Sequence, residues 1–238
     1  MKKLLISASL VIASLAASAQ DYKPVASDVT AELGLTGGLF NSDLNLNPLN
    51  QLRFRYFLAD QMALRVGFNY SNNSNKQLVY EATPGSGEGS RVYKSSDFVF
   101  NVGVEKHLVG TDRLSTYVGA DLLFVTSGAS EKRENYTGGG AYGAGFNSTY
   151  KGYNTNGDNG SFGYGFRLIA GADYYFVEKV YLGGEFGWGF VASKNAKRSL
   201  ETTPGTGGTT TTTETGSSGG SFNLSPQVTA GVRLGFRF

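Results

Sequence analysis

Beyond Gln20 the chain repeatedly alternates apolar and polar residues with a period of two, the pattern of strands that present unlike faces to two environments. Eight such segments stand out, at 28–40, 50–58, 62–70, 97–105, 117–124, 164–176, 180–190 and 224–238. In the third, Met62, Leu64, Val66, Phe68 and Tyr70 alternate with Ala63, Arg65, Gly67 and Asn69. The sixth is the longest and sets Tyr164, Phe166, Leu168, Ala170, Ala172, Tyr174 and Phe176 against Gly165, Arg167, Ile169, Gly171 and Asp173. Helical spacing competes nowhere.

The connections alternate as well. Residues 58–61, 107–113 and 177–179 are tight links, whereas 41–49, 72–93, 127–161 and 193–221 are long and rich in Gly, Ser, Thr and Asn. An antiparallel up-and-down meander collects all short turns at one end and all long loops at the other. Eight strands suit closure into a barrel whose inside is just filled by side chains. The expected fold is therefore all-β, an eight-stranded antiparallel up-and-down barrel.

Alternation does not say which face is inside, but the residues on the polar face do. That face carries many glycines, and its central charges are Arg, Asp and Glu, while Lys keeps to loops and turns. A cramped interior needs small residues and the planar, bidentate pairing that Arg offers carboxylates. With the polar face inside, the interior charges are Glu32, Asp97, Glu105, Asp121, Asp173 and Glu185 against Arg53, Arg55, Arg65, Arg167, Arg233 and Arg237. Buried charges are costly unless paired, so a balanced set predicts an interlocked ion network that plugs the lumen. Asp121 with Arg167, and Glu32 with Arg53 or Arg233, are the neighbours such a ring would bring together. The apolar face then meets lipid, making the barrel transmembrane. Aromatic residues gather near its two rims, Tyr56, Tyr174, Phe176, Phe236 and Phe238 at the short-turn end and Phe40, Tyr70, Phe124, Trp188 and Phe190 at the other.

Composition narrows the chemistry. The 238 residues contain no Cys and one His, which removes disulfides, thiolate metal sites and cysteine nucleophiles. Met1–Ala19 has a basic start, an apolar stretch and the small residues Ala17, Ser18 and Ala19, so it reads as a signal peptide cleaved between Ala19 and Gln20. Residues 20–238 are then one barrel domain. Its loss of two lysines and no acid leaves nineteen basic and nineteen acidic residues, with no basic cluster to bind nucleic acid.

The stretches YVGADLLF from Tyr117, YLGGEFGWGF from Tyr181 and PQVTAGVRLGFRF ending in Phe238 resemble the small eight-stranded outer-membrane barrels of the OmpA/OmpX type. That resemblance implies the cell outer membrane, short periplasmic turns and long extracellular loops. It implies contact with outer-membrane lipid and recognition of the terminal Phe238 by the barrel-assembly machinery. No cell-wall-tethering domain is expected after Phe238.

Motifs for catalysis or cofactor binding lack their contexts. Residues 138–143 fit G-x-G-x-x-G without a strand and helix around them, and 216–220 fit G-x-S-x-G inside a low-complexity tract. Residues 154–160, NTNGDNG, miss the calcium-loop spacing. His107 falls in a short turn, where a solvated histidine is expected. No catalytic residue, cofactor or metal ligand is assigned. The expected protein is a non-enzymatic barrel serving envelope structure or surface recognition through its long loops, where Tyr136, Tyr142, Tyr150 and Tyr153 offer contacts to an extracellular ligand or protein. A narrow channel is the alternative, and a lipid- or peptide-modifying barrel enzyme the third reading.

Overall fold

The computed structural model describes residues 22–36, 51–79, 85, 87–108, 110–136, 149–215, 220–221 and 227–238. The expected signal segment with Ala19 and Gln20, Phe40, the 41–49 loop, the glycine motif at 138–143 with Tyr142, and residues 216–219 lie outside them.

The described residues form strands and no helix: β1 (Val29–Thr36), β2 (Gln51–Ala59), β3 (Met62–Val79), β4 (Gly89–His107), β5 (Leu114–Tyr136), β6 (Thr149–Val177), β7 (Val180–Asn195), β8 (Arg198–Thr203), β9 (Thr211–Thr215), β10 (Gly220–Ser221) and β11 (Gln227–Arg237). All pairings are antiparallel, and β1 to β7 followed by β11 form a ring that closes where β11 pairs with β1, Leu33 opposite Leu234. Closure satisfies the backbone around the whole ring without an exposed edge, which is what allows strands to cross hydrocarbon. Phe238 joins the seam, its amide donating to the Val29 carbonyl at 2.9 Å.

The described parts of the expected long loops at 72–93, 127–161 and 193–221 are largely strand. β3 and β4 remain paired from Ser71↔Asp97 up to Val79↔Gly89, β5 and β6 continue to Tyr136↔Thr149, and β8 and β9 add two strands beyond β6. NTNGDNG lies within β6, and the threonine run enters β9. These stretches have water on both faces, so they carry no apolar alternation, and pairing alone makes them strands. An antiparallel sheet, β3-β4-β5-β6-β8-β9, thus rises from the long-loop rim.

Candidate functional site

Inside the ring, odd-numbered residues of β2 to β7 and β11 face the lumen, and in β1 the even-numbered ones do, so each strand contributes one or two charges to a single cluster. Arg55, fully buried, pairs with Glu32 at 2.5 Å, Asp173 at 2.8 Å and Glu105 at 3.1 Å, and donates to Tyr181 Oη at 2.6 Å. Glu185 receives Arg53 at 2.9 Å, Arg65 at 2.8 Å, Arg233 at 3.0 Å and the Tyr117 hydroxyl at 2.9 Å. Arg53 and Arg233 also reach Glu32, at 3.2 and 3.0 Å. Arg65 bridges Glu105 at 2.6 Å and Asp121 at 2.9 Å, and Arg167 donates to Asp121 at 2.6 Å. Five guanidiniums meet five carboxylates in one connected set, so desolvation of each charge is offset by at least one opposite charge and for most by two or more.

Two tyrosines knit the cluster, and both sit over glycine. Tyr117 on β5 faces Gly171 on β6, and Tyr181 on β7 faces Gly235 on β11. A Cβ at either glycine would overlap the facing ring, so the bare backbone is what admits these side chains. Tyr117 accepts a hydrogen bond from Arg233, and Tyr181 donates to Glu32 at 2.7 Å.

The outer surface is the reverse. Leu58, Leu122, Leu168, Phe186 and Leu234 are each half-exposed, and comparable side chains run round the whole ring. A continuous apolar belt outside a charged interior is stable only in lipid. The chain is a membrane-spanning β-barrel. Tyr56, Tyr174, Phe176 and Phe238 project at the short-turn rim and Tyr70, Phe124 and Trp188 toward the other.

No protein-family profile matches the sequence, and no curated protein matches it. Among solved structures, the barrel is similar to the outer membrane protein OprG from Pseudomonas aeruginosa, at 12% identity over 92% of this chain and 99% of that one, TM-score 0.48. It is similar to CarO2 of Acinetobacter baumannii, at 13% identity over 90% and 99% with TM-score 0.41. A major outer membrane protein from Thermus thermophilus shows 13% identity over 89% and 98%, TM-score 0.44.

The short-turn end of the barrel is sealed by features the sequence pattern did not single out. Phe57, His107 and Tyr117 pack as tilted rings with centroids 5.1 and 5.4 Å apart, and Tyr175 and Tyr181 at 4.8 Å, forming an aromatic floor to the ion cluster. Residues 22–28 then cross that mouth. Ala26 N donates to Asp60 at 3.0 Å, Arg113 donates to the Tyr22 hydroxyl at 2.8 Å, and Arg237 donates to the Lys23 carbonyl at 2.5 Å.

Four positions differ from expectation. Asp97 has the inward parity but stands exposed at the far rim, opposite Ser71 and Ser127, above the cluster. Arg237 is inward and buried, yet sits at the short-turn end, 3.3 Å from Asp28, away from the central carboxylates. His107 is the last residue of β4, only 3% exposed, with Nδ1 2.8 Å from Ser115 Oγ and Nε2 3.3 Å from Glu105. Its odd position turns the ring inward. That row has the residue types of a hydrolase relay, but Ser115 is 3% exposed and Glu105 is held by Arg55 and Arg65, so the arrangement packs the floor. Tyr136 is likewise buried, under Arg133, and offers no open contact.

Proposed function

We propose that the protein is an integral outer-membrane barrel with a closed lumen, non-enzymatic, acting through the sheet that rises from its long-strand rim. The observation that carries this is the connected Arg–carboxylate cluster spanning the lumen between β1, β2, β3, β4, β5, β6, β7 and β11, floored by aromatic rings. An eight-stranded interior holds little beyond its own side chains, and here those are mutually bonded across the bore. Lipid is the partner of the apolar belt. A signal sequence at 1–19 directs export, and Phe238, which follows β11, presents the signal for barrel assembly. The rising sheet, polar on both faces, stands clear of lipid on the cell exterior, where it serves envelope structure or surface recognition.

The test is single-channel recording of the refolded protein in a planar bilayer, with folding checked by heat-modifiable gel mobility. Silence is expected. Reproducible discrete openings from folded protein would reject the closed lumen.

A further inference from the structure

Above the long-strand rim, the inward face of the barrel wall continues as one face of the rising sheet, and on it β3 and β4 build a polar cleft. Asn73, Asn75 and Gln77 stand in a row on β3, and Ser95, Tyr93 and Arg91 lie directly opposite them on β4. At roughly 3.3 Å per residue, the row starts about 10 Å beyond Tyr70 along the strand, outside the hydrocarbon. Asn73, Asn75, Gln77, Arg91 and Tyr93 line a cavity of about 270 Å³. This is near the lower bound of roughly 300 Å³ for small-molecule clefts, room for one or two rings instead of an extended chain.

The chemistry of the lining is specific. Tyr93 is 44% exposed and offers an amphipathic ring face, while each amide offers a carbonyl acceptor and an NH₂ donor in one plane. The Gln77 carbonyl oxygen accepts no hydrogen bond among the described residues, and rotation of its side chain toward the cleft would bring it to a donor on a ligand. Arg91 is held by Glu131 at 2.7 Å, and Arg133 meets the same oxygen at 2.5 Å, which fixes the β4 wall and offsets part of its charge. Paired amides beside an aromatic face suit a ligand with adjacent hydroxyls and an apolar C–H face.

We propose that this cleft binds a neutral saccharide, its ring stacked on Tyr93 and its hydroxyls bonded by Asn73, Asn75 and Gln77. The inference rests on the reading of the rising sheet as a recognition surface and names its ligand class.

The test uses the full refolded barrel in detergent on an array of immobilised neutral, acidic and sulfated glycans, with hits measured by titration of the free oligosaccharide. Saturable binding to neutral glycans is expected, weakened at least tenfold by Tyr93→Ala and by Asn75→Ala and retained by Tyr93→Phe, with heat-modifiable mobility unchanged in all three. Binding confined to acidic or sulfated glycans, no binding, or binding indifferent to Tyr93→Ala would overturn the proposal. Binding of an arrayed peptide lost on Tyr93→Ala, without saccharide binding, would overturn the ligand class while leaving the recognition reading in place. The conductance record is independent, so silent barrels that bind no saccharide reject this inference and not the closed lumen.

Discussion

The two halves of this molecule use the same strands under opposite solvent conditions. In the membrane half, Arg53, Arg55, Arg65 and Glu105 are essentially inaccessible to water, while Leu64 and Val104 on the same strands face outward. In the rising half, Ser71 to Lys76 on β3 are exposed on both faces of the sheet. The difference teaches where stability resides. Below the rim most inward charges have two or more partners whose loss strands the rest, whereas above it most polar groups have water as a substitute. The membrane half can therefore hold a fixed interior, and the rising half can vary its surface.

The sharpest way to break that contrast is at Glu185, where Arg53, Arg65, Arg233 and Tyr117 converge. Glu185→Leu leaves three buried guanidiniums short of a partner, and the expected loss is about 3–5 kcal/mol in urea unfolding from lipid vesicles. A change no larger than that of an exposed substitution on β3 would show that the two halves do not differ in this way.

A smaller effect separates packing from charge within the membrane half. Gly235→Ala forces a methyl against the Tyr181 ring, and crowding a packed interior costs about 1–3 kcal/mol. In a Tyr181→Ala background the same glycine change should cost little, because the ring is gone. The double-mutant cycle in unfolding free energy measures the coupling, and additive effects would reject the pairing.

The same contrast explains what could be read from sequence. Period-two alternation is imposed by two different solvents on the two faces, so the strands around Leu64, Leu122 and Leu168 were legible, and glycine with arginine on the polar face set the inside. The inward parity of Glu32, Arg53, Asp121 and Arg167 followed. Height along the barrel did not, since parity repeats every two residues without regard to depth. Asp97 and Arg237 were therefore grouped with charges that lie far from them. His107 has the look of a turn residue in the sequence because a strand end adjoining a polar link has no pattern to mark it. The upper parts of β3 to β6, with β8 and β9, were hidden because residues such as Asn73, Asn75 and Asn156 meet water on either side. The crossing of the mouth by residues 22–28 depends on contacts remote in sequence, Tyr22 with Arg113 and Lys23 with Arg237.

The mildest test belongs to the rising half. Glu131 is partly buried, which raises its pKa, but the hydrogen bonds from Arg133 and Arg91 outweigh burial and hold it below the ordinary value of 4.5. A carboxylate with a lowered folded value stabilises the fold above its unfolded pKa, and that contribution disappears as pH falls through the folded value. The β4–β5 pairing near Tyr93↔Glu131 should accordingly loosen only below pH 4.5, with the barrel beneath it unchanged. Carbon-13 titration of the Glu131 carboxyl in the folded protein should give a midpoint under 4.5, and Arg91→Gln should move it upward. A midpoint unmoved by Arg91→Gln would mean that Arg133 alone secures Glu131, and that the β4 wall carrying Tyr93 is not braced through Arg91.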